Sequence, residues 1–160
     1  MGADGRERRA GARRLSVAVA VMVAVVLVDQ LTKWWALTRL SSGPIHVIGT
    51  LDLELSRNTG ASFSLFQGKA AILIPIALVL IMVLSVMAWR ATTNGRAAIL
   101  GLIVGGALGN LCDRFFRGDH GAVVDFIALH FWPTFNVADA SIVVGCALFL
   151  VSLARGPRHP

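Results

Sequence analysis

An all-α membrane bundle of four transmembrane helices, with a small extracellular β-sheet between the first and second, is the fold that this sequence predicts. Three features carry the prediction. Of the 160 residues, 56% are hydrophobic and only 15% charged, and the mean hydropathy is +0.71, well outside the range of soluble domains. The apolar residues gather into four long runs, and arginine clusters stand before the first run, between the second and third, and after the fourth. A chain of this length holds one bundle of a few spans, so a single integral membrane domain covering 1–160 is expected.

The first span is expected at about 15–37. Its core, 15–28, is apolar apart from Ser16, and the helix continues through Asp29, Gln30 and Lys33. The second, 70–89, carries no charge. The third, 97–114, is shorter at its apolar core and rich in glycine; Gly101, Gly105 and Gly109 recur every four residues, which puts small residues on one face for close helix packing. The fourth is 138–154, with polar groups only near its start. Residues 1–12 and 156–160 are expected to be flexible tails.

Arginines set the sidedness. Arg6, Arg8, Arg9, Arg13 and Arg14 precede the first run, Arg90 and Arg96 lie between the second and third, and Arg155 and Arg158 follow the fourth. All three clusters, and both termini, are expected on the cytoplasmic side. The net charge of +6 then reflects topology, with phospholipid headgroups as neighbours. Basic and aromatic residues do not interleave as in a nucleic-acid interface, so no nucleic-acid partner is expected. The arginine-rich start resembles a secretory or twin-arginine signal, but the run is long for one and no small-residue cleavage site follows, so a retained span is expected. Cys112 and Cys146 fall at different depths in this topology, and no disulfide is expected between them.

The two long connections, 38–69 and 112–137, face outward in this scheme. In the first, Leu51, Leu53 and Leu55 alternate with Asp52, Glu54 and Ser56 as in a half-buried strand. The strand leads into Asn58-Thr59-Gly60, where an asparagine before a glycine suits a turn; by itself the segment reads as a turn rather than a site.

Polar residues within the apolar runs raise the functional question. Asp29 lies roughly 10 Å inside the outer end of the first span, where an ionised carboxylate costs about 2.5–3.5 kcal/mol at midplane and less toward the interface. Two readings stand side by side: an i, i+4 pair with Lys33 reaching toward the headgroups, beside Trp34 and Trp35 of an aromatic belt, or support of a site. Asn110, Asp113 and Arg114 share a helical face at the end of the third run and can cap it or serve a site. With Asp125, Asn136 and Asp139 close behind, the outer end of the bundle collects an unusual density of polar groups for a lipid boundary.

The chemistry open to these groups is limited. Ser62 and Ser64 have no convincing histidine partner, and the cysteines sit in apolar surroundings that raise thiol pKa. His46, His120 and His130 are scattered without metal-binding spacing, so no metal is expected. Two carboxylates on converging segments are different: held close, they cannot both ionise, and one serves as base while the other serves as acid. Asp125 follows Val123 and Val124 and is expected to be desolvated, whereas Asp139 opens a helix whose dipole favours its anion. Spacing alone also fits unpaired, solvated aspartates at a bundle rim.

A resemblance narrows the choice. Asp29-Gln30-Leu31-Thr32-Lys33, Asn58-Thr59-Gly60-Ala61-Ser62-Phe63-Ser64, the run from Gly105 through Asn110, Asp113 and Arg114, Val123-Val124-Asp125-Phe126 and Phe135-Asn136-Val137-Ala138-Asp139 occur in this order. Together they resemble the lipoprotein signal peptidases, and only the charged termini fall outside the likeness. The resemblance implies an aspartic endopeptidase of the bacterial cytoplasmic membrane, its site near the outer face, that cleaves a prolipoprotein just before its diacylglyceryl-modified cysteine. It implies Asp125 and Asp139 as the catalytic dyad. Asn58, Asn110, Arg114 and Asn136 would position substrate or support the dyad, Asp113 would brace Arg114, Asp29 and Lys33 would support the site from the first span, and Gly60 would shape the turn at Asn58. The implied partners are the lipid-modified substrate and membrane phospholipid, with the chain a monomer and no cofactor.

The link FFRGDHGA between Arg114 and Val123 is longer than usual for that family and places Asp119 and His120 at a loop tip. Two rivals keep a place: a non-enzymatic carrier or assembly subunit using its aspartates for ions, against which the clustering of polar groups at one end counts, and a metalloprotease, which chelation would expose.

Overall fold

The computed structural model describes residues 3–59, 70–117 and 121–155. Among them run four helices, α1 (Ala3–Arg39), α2 (Ala70–Trp89), α3 (Asn94–Phe116) and α4 (Val137–Ala154), and four strands, β1 (Ile45–Ile48), β2 (Leu51–Asn58), β3 (Val123–Leu129) and β4 (Trp132–Phe135). By length and composition α1, α3 and α4 can each cross a membrane, and Leu73–Trp89 of α2 forms a shorter apolar helix.

The α1 helix corrects one expectation. Residues 3–12, expected to be flexible, are helical and continuous with the span. Alanine, arginine and glutamate favour helix, and extending an existing helix needs no new nucleus. The extension is tied down where Arg14 Nη1 donates to the Thr92 carbonyl at 3.0 Å. At about 55 Å, α1 is far longer than the roughly 30 Å hydrocarbon layer. Residues 156–160, including Arg158, lie outside the described residues.

The glycine-rich α3 is the central element, packed against α1, α2 and α4. A Cβ on Gly105 would lie 2.8 Å from Val25 Cβ, and one on Gly109 would lie 2.6 Å from Asp29 Oδ2; Gly101 abuts the backbone of Ala18. The expected small-residue face therefore meets α1 directly. Gly106 does the same for α4, where a Cβ would stand 2.5 Å from the Ala138 carbonyl oxygen. These absent side chains bring Asp29 and the start of α4 against α3.

The sheet corrects a second expectation. It does not belong to the connection between α1 and α2 alone, because β3 and β4 come from the connection between α3 and α4 and complete one antiparallel sheet of order β1-β2-β3-β4. Val123, Val124, Asp125 and Phe126 are all buried, so β3 lacks the alternation that reveals a half-exposed strand. Ser56 pairs with Asp125 and Asn58 with Val123. Leu53, Leu55 and Phe126 pack onto Ala36 and Leu40 at the end of α1, which seats the sheet on the bundle.

Candidate active site

Asp125 sits on β3, 2% exposed, and Asp139 in the first turn of α4. Both border one cavity of about 810 Å³. Asn136 lies between them. Its Nδ2 donates to Asp125 Oδ1 at 2.6 Å, while its Oδ1 accepts the Asp139 N–H at 2.9 Å. Asp139 Oδ2 reciprocates by accepting the Asn136 N–H at 3.3 Å, completing a capping box. The residue that starts α4 thus joins the two carboxylates.

Two other carboxamides finish the inner surroundings. Asn58 Nδ2 donates to Asp125 Oδ2 at 3.1 Å, and Asn110 Nδ2 donates to Asp139 Oδ1 at 2.8 Å. Burial, followed by the neighbouring charge of Asp139, pushes the Asp125 carboxyl up to about 7, and the bonds from Asn58 and Asn136 oppose the rise. A carboxyl so placed keeps its proton to a far higher pH than an ordinary aspartate.

Beneath the pair lies a buried ionic layer. Asp29, Lys33 and Asp113 have no exposed surface. Lys33 Nζ stands 2.9 Å from Asp29 Oδ2 and 3.0 Å from Asp113 Oδ2, and donates to Asn110 Oδ1 at 3.0 Å. The Asp29–Lys33 pair therefore does not reach toward headgroups; the packing of α1 on α3 turns it inward. Each of these carboxylates also grips a backbone amide next to one of the paired aspartates. Asp113 Oδ2 accepts the Val124 N–H at 3.1 Å, and Asp29 Oδ1 accepts the Ala138 N–H at 2.9 Å. Among the described residues no buried side-chain nitrogen or oxygen lacks a partner, so the layer is fully satisfied.

The sequence-derived candidates Asp29, Lys33, Asn58, Asn110, Asp113, Asp125, Asn136 and Asp139 are thus brought into one network. For Asp113, which the resemblance sets against Arg114, the principal partners are Lys33 and Arg117; Arg114 Nη1 donates to the Gly121 carbonyl at 2.8 Å, just ahead of β3. Gly60, Asp119 and His120 lie outside the described residues. Sequence reasoning missed Gln30 and Arg117, both of which bond Asp113. The signals were present: Gln30 is polar within an apolar span, and Arg117 lies one turn beyond Asp113.

The cavity has two characters. Ser56, Arg57, Asn58 and Thr59 line one side, while Leu129, Phe131, Trp132, Val143 and Val144 supply apolar surface. A peptide backbone suits the first and hydrocarbon the second. Away from the cavity, His46 Nδ1 and His130 Nε2 lie 2.7 and 2.9 Å from the two oxygens of Asp52. Those histidines, scattered in sequence, meet across the sheet. No described group of three or more His, Cys, Asp or Glu side chains is arranged to hold a metal ion.

Fold and site define a multi-pass membrane protein with a carboxylate pair set where its helices meet a small sheet. Residues 21–155 match the family model for signal peptidase (SPase) II, and the chain belongs to that family. It is 42% identical over 144 residues to the lipoprotein signal peptidase of Mycobacterium tuberculosis strain H37Rv, covering 87% of this chain and 71% of that one. It is 43% identical over 132 residues to that of Syntrophomonas wolfei, covering 79% and 85%. A solved bacterial membrane enzyme superposes with a TM-score of 0.80 at 27% identity, covering 91% of this chain and 94% of that one.

Proposed function

We propose that this chain is a membrane-embedded aspartic endopeptidase that removes the signal peptide of prolipoproteins, cutting just before the diacylglyceryl-modified cysteine, with Asp125 and Asp139 as its dyad. One observation carries the mechanism: two buried carboxylates, joined by Asn136, border the same half-polar, half-apolar cavity. One carboxylate, ionised, takes a proton from water as the oxygen attacks the scissile carbonyl. The other, protonated, donates to that carbonyl oxygen. Collapse of the tetrahedral intermediate breaks the C–N bond, and the acquired proton passes to the leaving amine.

The pair shares one proton, and the burial that raises the Asp125 carboxyl favours its retention there. Asn58, Asn110, Asn136 and Arg114 orient dyad and substrate backbone, while Asp29, Lys33 and Asp113 support them from beneath. All four helices cross the bilayer, with the arginine-rich ends and both termini cytoplasmic and the sheet and dyad at the outer face. The substrate's lipid anchor occupies the outer leaflet, so its scissile bond lies at that depth. The chain acts as a monomer amid phospholipid.

The test is cleavage of a diacylglyceryl-modified proprotein by purified protein in lipid, beside the unlipidated proprotein. Asp125→Asn and Asp139→Asn should each abolish cleavage while the protein stays folded, and the unlipidated substrate should be poor. Full activity in either variant would remove the dyad, and chelator-sensitive cleavage restored by zinc would favour a metal mechanism.

A further inference from the structure

Asp113 uses its two oxygens differently. Oδ2 faces the site, taking Lys33 Nζ at 3.0 Å and the Val124 N–H at 3.1 Å. Oδ1 faces away and takes Arg117 Nε at 2.6 Å and Gln30 Nε2 at 3.0 Å. Arg117 Nη2 also donates to Gln30 Oε1 at 3.0 Å, so the two tethering side chains are bonded to each other and close a ring on the carboxylate. Gln30 Nε2 further lies within hydrogen-bond distance of the Gly109 carbonyl and Asp29 Oδ2, which fixes it between α1 and α3.

The torsion that turns a carboxylate about its last bond is broad and roughly two-fold, so a buried aspartate is aimed by its donors rather than by its own rotamer. Without the donors on Oδ1, Oδ2 is free to swing between Lys33 and the Val124 amide. That amide belongs to the residue before Asp125, and its loss would loosen the strand that presents the dyad. From this geometry we infer that Gln30 and Arg117 are positioning residues for catalysis, a tether that aims Asp113 at Val124 and so holds Asp125 in register with Asp139. The tether acts through Asp113; neither member lines the cavity. The inference rests on the reading of Asp125 and Asp139 as the dyad.

The test compares Gln30→Met, Arg117→Met and Arg117→Lys in the lipidated-proprotein assay, with the thermal unfolding midpoint as a check on folding. Misplacement of about 1 Å can cost about 100-fold, so kcat should fall about 10- to 100-fold. KM should change less than about twofold, because the substrate cavity is untouched. Amide exchange at Val124, followed by NMR, should accelerate relative to its neighbours in β3. Arg117→Lys guards against a folding defect: it keeps the positive charge but has one nitrogen where the tether needs two, and it should show the same loss of kcat. Wild-type kcat in folded Arg117→Lys or Gln30→Met overturns the tether, as does a lost kcat with unchanged Val124 exchange. Activity retained in Asp125→Asn or Asp139→Asn instead overturns the dyad itself, so the two failures are separable.

Discussion

The Asp113 carboxylate accepts the backbone N–H of Val124 at 3.1 Å, one residue before Asp125. On the opposite side of Lys33, Asp29 accepts the N–H of Ala138 at 2.9 Å, one residue before Asp139. The strand carrying one aspartate and the helix carrying the other are therefore held by two carboxylates that share an ammonium. Asp113→Ala and Asp29→Ala are expected to lower kcat about 100-fold through displacement of Asp125 and Asp139 respectively. Steady-state cleavage beside helical circular dichroism checks this; folded variants with unchanged kcat would show that the amide bonds do not place the dyad.

Lys33 gives a stability prediction. Its ammonium is fully buried and touches Asp29, Asp113 and Asn110. Lys33→Met leaves Asp29 and Asp113 facing each other with their shared cation removed, and breaking a buried pair in this way costs about 3–5 kcal/mol. Arg117 still neutralises Asp113, which favours the lower end. Adding Asp29→Asn removes the orphaned charge, so the double variant should be more stable than the sum of its singles. Denaturant unfolding in detergent micelles measures both, and strict additivity would contradict the shared-ammonium arrangement.

Most of the bundle was legible in the sequence because apolar runs and glycine spacing are one-dimensional signals. The run 70–89 coincides with α2, and Gly101, Gly105 and Gly109 do form the face against α1. The sheet was only half legible. The β2 strand shows alternation at Leu51, Leu53 and Leu55, but β3 is buried along its first four residues and therefore reads as an unpatterned apolar run. Residues 3–12 are helical although their composition suggests a tail, because their charges mask the helix propensity of alanine, arginine and glutamate. For the site, the residues made a carboxylate pair plausible and only the resemblance singled out Asp125 and Asp139, while the pairing of Gln30 with Arg117 joins positions 87 apart. Each residue is unusual for its place, but the contact spans too much sequence for either to point to the other.

The close approach of α3 and α4 depends on Gly106, where a Cβ would stand 2.5 Å from the Ala138 carbonyl oxygen and 2.8 Å from Ile142 Cγ1. The first neighbour is backbone and cannot turn aside. Gly106→Ala is therefore expected to cost about 1–3 kcal/mol by overpacking and to lower kcat by moving Ala138 and, with it, Asp139. Unfolding midpoint and cleavage rate should both fall; a fully stable, fully active Gly106→Ala protein would be inconsistent with this helix contact.

Cleavage should depend on pH through the dyad as a pair. Asp125 is held up to about 7, chiefly by burial and then by Asp139, so it is protonated below that pH and ionised above it. The proposed mechanism needs one proton on the pair, so kcat should decline as pH rises through about 7 and the second carboxylate forms. The Asn58 bond favours the ionised form of Asp125, so Asn58→Ala should move the alkaline limb to higher pH. A pH profile of kcat for both proteins reads the shift directly, and movement toward lower pH would reverse the assigned role of Asn58.

Asp52, on β2 of the sheet, titrates in the opposite sense. Hydrogen bonds from His130 and then His46 hold its carboxyl below the ordinary value of 3.8. The folded state therefore favours the ionised form more than the unfolded chain does. This stabilisation is fully present above the unfolded carboxylate pKa and is lost as pH falls through the lower folded value. Asp52 ties β1 to the turn after β3, since His46 pairs across the strands and His130 follows Leu129. The same turn leads directly into Phe131 and Trp132 of the cavity wall. Asp52→Asn should thus lower the unfolding midpoint near neutral pH, and the gap from wild type should close in the acid range below 3.8. A gap that stayed constant down to the lowest pH would mean that the carboxylate charge contributes nothing to holding the sheet.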